Sequence, residues 1–107
     1  VANEVFLPIA TGRIAASTTS ARIALPASAS HLRVVNPTAA IVWVQPTDSS
    51  GVAVIPAAGA SGTGWPVAPT STESFRLDPS QRATQTHIAV ILSTGTGDVY
   101  VTAGEGA

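Results

Sequence analysis

The sequence predicts an all-β domain, a single antiparallel β-sandwich of about seven or eight short strands with jelly-roll or immunoglobulin-like topology. Three observations predict it. Apolar residues come in short runs. Breaks rich in Pro, Gly, Ser and Thr recur every eight to twelve residues or so, the spacing of sandwiches and barrels. No segment holds an apolar helical period for three turns. About a quarter of the chain is Val, Ile, Leu or Phe, above the level of disordered chains, and 107 residues are enough for one core but not for two domains.

The strands follow in order. A weak one is expected over Arg13 to Ser17, and clear ones over Arg22 to Leu25, Leu32 to Asn36, Ile41 to Gln45, Val52 to Ile55, Ser74 to Leu77, His87 to Leu92 and Asp98 to Thr102. The two-residue period points Leu32, Val34, Phe75, Leu77, Ile88, Val90, Leu92, Val99 and Val101 inward, and Arg33, Arg76 and Tyr100 outward. Ile41, Val42, Trp43 and Val44 form an unbroken apolar run, the pattern of a central strand covered on both faces, with Trp43 in the core.

The breaks carry turn chemistry. Asn36-Pro37-Thr38 and the stretch from Pro46 to Gly51 bond or preset their own backbone, so their flanking strands are expected to be antiparallel neighbours. Ser93 to Gly97 reads as a hairpin loop between the last two strands. Pro56 to Pro69 is a long loop rich in Ala, Gly and Pro, with an irregular edge strand expected near Val67. The resulting division is an extended N-terminal arm over residues 1–12, a sandwich over 13–102 and a C-terminal tail over 103–107.

Charge narrows the function. Only 10% of residues are charged and the net charge is −1, so the basic stripe of a nucleic-acid binder is missing. All five basic side chains are Arg (Arg13, Arg22, Arg33, Arg76 and Arg82), which suits planar, bidentate pairing between subunits. With no Cys, disulfides, thiolate metal sites and cysteine nucleophiles are excluded. No stretch is long and apolar enough to span a membrane. Val1 to Glu4 lacks the basic start of a secretion signal, and the apolar run from Val5 to Ala10 is short and broken by Pro8.

No catalytic constellation assembles, and the chain is not expected to be an enzyme or to hold a cofactor or metal. His31 and His87 each open a strand, and neither belongs to a closely spaced set of His, Asp and Glu, so a structural or surface role fits both. Gly59-Ala60-Ser61-Gly62 departs from the nucleophile elbow by one residue and has no following helix. Gly59 to Gly64 lacks the Lys-Ser/Thr ending and the helix of a phosphate-binding loop, and reads as a flexible loop. Asp48, Asp78 and Asp98 lie in or beside turns, where Asp commonly bonds the local backbone instead of serving in a carboxylate pair.

Two aromatics suit contact with a partner. Trp65, between Gly64 and Pro66, either folds back as a lid over the sandwich or projects into a partner as a hot spot. Tyr100 faces outward between Val99 and Val101 and suits a protein surface or a sugar ring.

The segments Leu32 to Asn36, Glu73 to Pro79, Thr86 to Ile91 and Gly97 to Gly106, in this order, resemble small virion proteins of tailed bacteriophages, commonly encoded near the capsid genes. The resemblance spans roughly residues 20 to 106 and is carried by a strand ending in Asn, a Phe-containing strand before a Pro turn, and a Val-Tyr-Val strand closing in Gly-Glu-Gly. The stretch from Ala57 to Trp65 is longer than in that group.

The resemblance implies a capsid decoration or cement protein on the virion exterior, made in the host cytoplasm. It would clamp neighbouring major capsid protein subunits and form a homo-oligomer, a trimer by analogy. The expected partner interface is Val5, Phe6, Leu7, Ile9, Trp65, Arg76 and Tyr100, with the apolar arm adding a strand to a neighbour by edge pairing. The alternative is a carbohydrate- or host-surface-binding module of a phage fibre or tail, with Trp65 and Tyr100 as stacking platforms.

Overall fold

The computed structural model describes residues 7–105. Among the described residues there are eight strands: β1 (Leu7–Ala16), β2 (Ala21–Ala24), β3 (His31–Asn36), β4 (Val42–Thr47), β5 (Trp65–Val67), β6 (Ser71–Arg76), β7 (His87–Leu92) and β8 (Gly97–Glu105), with one 3₁₀ turn at Pro79–Gln81. They form two antiparallel four-stranded sheets, ordered β1-β8-β3-β6 and β2-β7-β4-β5. The pairings are nested. β1 pairs with β8, β2 with β7, β3 with β6 and β4 with β5. This is one long antiparallel hairpin wrapped on itself, with β3–β8 pairing completing the first sheet and β4–β7 pairing the second. That arrangement is a jelly roll, which resolves the two topologies left open by the sequence.

Alternation supplies the core. Leu32, Val34, Val42, Val44, Val67, Ile88, Val90, Leu92 and Val99 are all fully buried between the sheets, and Val101 and Leu77 nearly so. Each such side chain contributes about 1.5–3 kcal/mol by leaving water. The inward set expected from the two-residue period is buried, except that Phe75 is partly exposed on edge strand β6. Arg33, Arg76 and Tyr100 are exposed, as their parity requires.

The one fully buried polar side chain among the described residues is Asn36. Its amide donates to the carbonyls of Ala40 (2.8 Å), Val67 (3.1 Å) and Ala68 (3.1 Å), and its Oδ1 accepts from the backbone N–H and the hydroxyl of Thr38. A second polar clamp is Arg82, whose guanidinium donates to the carbonyls of Ala29 (3.0 Å), Pro26 (2.8 Å) and Gln85. It pins the β2–β3 loop to the segment before β7.

Several expectations are corrected. The turn at Asn36-Pro37-Thr38 and the loop from Ser93 to Gly97 do not join paired strands: each carries the chain from one sheet to the other. Turn residues encode reversal of the chain, while the hydrogen-bond partner is set by how the long hairpin wraps. The stretch from Pro46 to Gly51 does not join paired strands either, since β4 pairs with β5 beyond the long loop and not with Val52 to Ile55.

Val52 to Ile55 is not a strand. β5 already occupies the free edge of β4, and the segment instead lies beside the outer face of the second sheet. There Ala53 is buried and donates its N–H to Ser20 Oγ (2.8 Å), while Val52 and Val54 face solvent. Ile41 precedes β4 and is exposed. Trp43 alternates with buried Val42 and Val44, so it lies on the outer face, half-buried beside its cross-strand neighbours Ile91 and Pro66, and not in the core.

The boundaries differ too. Residues 7–12, read as part of an arm, are the first half of β1 and run along β8. Ala103 and Gly104, read as tail, are buried within β8. Val5 and Phe6 lie outside the described residues.

Candidate interaction surfaces

The expected interface residues fall in separate places. Leu7 and Ile9 begin edge strand β1, where they are 62% and 43% exposed. The ladder slips between Pro8 and Ala10, so Ile9 has no paired residue on β8. Tyr100 is on the outer face of the first sheet, directly across from Arg13 on β1 and Val35 on β3. Arg76 ends edge strand β6 opposite His31, at the same end of the sheet as Leu7.

Trp65 goes inward. Its register partner on β4 is the buried Val44, and cross-strand partners share a face, so the indole enters the gap between the edge strands β5 and β6. There it packs on Phe75, ring centroids 4.4 Å apart and tilted by 33°. Within the chain Trp65 folds back against the edge of the sandwich and stays half-buried there. Its indole Nε1 is buried with no hydrogen-bond partner.

The outer face of the first sheet is a polar lattice. Thr11 and Thr102 share a hydrogen bond of 2.9 Å between their hydroxyls, and Arg33 is paired in register with both Thr102 and Ser74. Three of the five Arg residues (Arg13, Arg33 and Arg76) stand on this face. The outer face of the second sheet is dressed by the β4–β5 loop: Arg22 Nη1 donates to the Gly51 carbonyl (3.2 Å), and Gln45 Nε2 donates to Thr63 Oγ1.

Titratable groups stay apart. His31 and His87 sit on the outer faces of opposite sheets, each with Nδ1 hydrogen-bonded to the hydroxyl of the preceding residue, Ser30 (2.9 Å) and Thr86 (2.8 Å). Among the described residues no three His, Asp or Glu side chains gather as a metal site would require. Asp48 and Asp78 each accept from the backbone N–H and hydroxyl of the serine two residues on. The backbone and hydroxyl of Ser50 hold the Asp48 carboxyl below its ordinary range, with smaller help from Gly51 and Arg22. The hydroxyl and backbone of Ser80 do the same for Asp78, aided by Arg76. These are turn carboxylates bound to their own loops, as the turn reading expected of them.

Two surfaces were not anticipated. One is the apolar strip of Val52, Val54 and Ile55 on the β4–β5 loop, 54%, 59% and 36% exposed. The other is an apolar groove at the sandwich edge where β1 overlies β2. The groove depends on which strands wrap together, and local periodicity carries no sign of that.

No family model matches the chain, and no curated protein matches it in sequence. Among solved structures it is similar to the coat protein of Tobacco streak virus, at 8% identity and a TM-score of 0.39, over 98% of this chain and 86% of that one. A likeness of this degree carries no argument about function.

Proposed function

We propose that this chain is a structural virion protein that decorates and stabilises a phage capsid, binding between major capsid protein subunits on the exterior as a homo-oligomer. The observation that carries the reading is the composition of the sandwich interior. Jelly rolls serve as capsid domains, as lectins and as cupins. A cupin needs polar or ligating side chains inside the roll, whereas the fully buried side chains here are aliphatic apart from Asn36, whose amide is consumed by backbone partners. A lectin needs an exposed aromatic platform, and Trp65 packs inward on Phe75. Apart from Tyr100, the large apolar residues on the surface are aliphatic: Leu7, Ile9, Ile41, Val52, Val54 and Ile55 are all exposed, and aliphatic residues suit burial against protein. The phage assignment comes from the sequence resemblance.

Co-sedimentation with empty capsids tests the reading. Saturable binding that raises the capsid melting temperature is expected. Purified, folded protein that stays in the supernatant would contradict it. The fibre or tail alternative retains Tyr100 as a sugar platform, and glycan-array binding lost in Tyr100→Ala would favour it.

A further inference from the structure

We infer that the groove between β1 and β2 receives the apolar Val5–Ile9 end of a second copy of this chain. The groove, about 250 Å³, is walled by Ala10 and Gly12 on β1, by Ile23 on β2 and by Leu25 just beyond it, with Val101 and Ala103 of β8 beside them. Its lining is mostly apolar, and it persists because small residues stand where larger ones would fill it. Gly12 leaves room for Ile23, whose Cδ1 would have to shift if a Cβ stood there.

The occupant follows from the exposed apolar residues that open β1. Leu7 and Ile9 are large, exposed and on the same edge strand, and Val5 and Phe6 immediately precede them. β1 extends from Leu7 to Ala16, so along the strand Leu7 lies ~17 Å from the Gly12 of its own chain. The groove is filled from another molecule. Side chains make the contact, not strand addition: Pro8 lacks an N–H, and the slip in register between Pro8 and Ala10 disrupts the edge, both features that discourage pairing. Because segment and groove share one strand, the exchange closes either reciprocally across a two-fold or head-to-tail around a ring.

This inference rests on the self-association in the reading above and not on the capsid. It is tested in the full chain with two variants, Phe6→Asp, which spoils the inserted segment, and Ala10→Trp, which blocks the groove at an exposed position. Ala24→Trp is the second blocking variant, used if Ala10→Trp does not give the wild-type circular dichroism spectrum. Native mass spectrometry of the wild type is expected to show an oligomer, and each variant alone should associate about 30-fold more weakly or worse. Mixing them one to one should restore a species containing both, because the Ala10→Trp copy has an intact segment and the Phe6→Asp copy an intact groove. A wild type that stays monomeric, a folded variant that keeps the wild-type mass, or a mixture that yields no mixed species overturns the inference. Capsid co-sedimentation of the same samples separates the two claims: an exchanging oligomer that ignores capsids removes the capsid role alone, and a monomer that binds them removes the self-association and the exchange but leaves the capsid role.

Discussion

Asn36 on β3 donates its side-chain amide to the carbonyl of Val67 on β5, 3.1 Å away, and so ties one sheet of the sandwich to the other through the core. The same amide reaches the carbonyls of Ala40 and Ala68, and its oxygen caps Thr38. A fully satisfied polar group in an aliphatic interior fixes how the sheets register, because sliding them would strand it without partners.

Asn36→Ala should therefore destabilise the fold by about 2–3 kcal/mol, since it leaves buried carbonyls without their donor. Thermal unfolding followed by circular dichroism would show a fall of roughly 10 °C or more. Asn36→Asp should do more damage at neutral pH, where a carboxylate would face three carbonyls. Burial raises that carboxyl, so the variant's stability should be greatest in acid and fall as pH rises.

Trp65 separates ring packing from hydrogen bonding. Its Nε1 has no partner, so Trp65→Phe removes an unsatisfied donor while retaining a ring against Phe75, and should change stability by less than about 1 kcal/mol. Trp65→Ala opens the edge between β5 and β6 and should cost about 3 kcal/mol. Chemical denaturation measures both, and equal losses in the two variants would mean that the ring is not what closes the edge.

Arg82 binds three carbonyls in a fork that Lys cannot reproduce. Arg82→Lys should lose about 1–3 kcal/mol. Amide exchange in Leu25, which donates to Thr86 O beside the clamp, should accelerate.

The carboxyls of Asp48 and Asp78 should titrate below the ordinary value of 3.8. With folded values depressed, their contribution to loop order is complete above 3.8 and lost as pH falls through the folded values. Carbon-13 titration of the two side chains reads this directly. Replacing Ser50 or Ser80 with Ala should move the corresponding carboxyl back toward 3.8, each without affecting the other.

Fold class and inward faces were legible in the sequence because alternation is local. Leu32 and Val34, or Ile88, Val90 and Leu92, declare their face within one strand. Partner choice was not legible: Asn36-Pro37-Thr38 announces a reversal, yet β3 and β4 enter different sheets. The apolar run from Ile41 to Val44 misled about Trp43, since one apolar face meets the core while the other meets Ile91, Pro66 and solvent. Val52 to Ile55 has strand composition without a free edge to join. The candidate surface was legible only in part. Leu7, Ile9 and Tyr100 are exposed as expected, whereas the groove arises from β1 meeting β2 across the wrapped hairpin.

The central claim is structural work in a virion, and copy number per particle tests it most directly. Quantitative mass spectrometry of purified particles, with this chain measured against the major capsid protein, should find it at a fixed ratio near that of the capsid subunits, on the order of hundreds of copies. Absence from the particles, or a handful of copies each, would contradict the account.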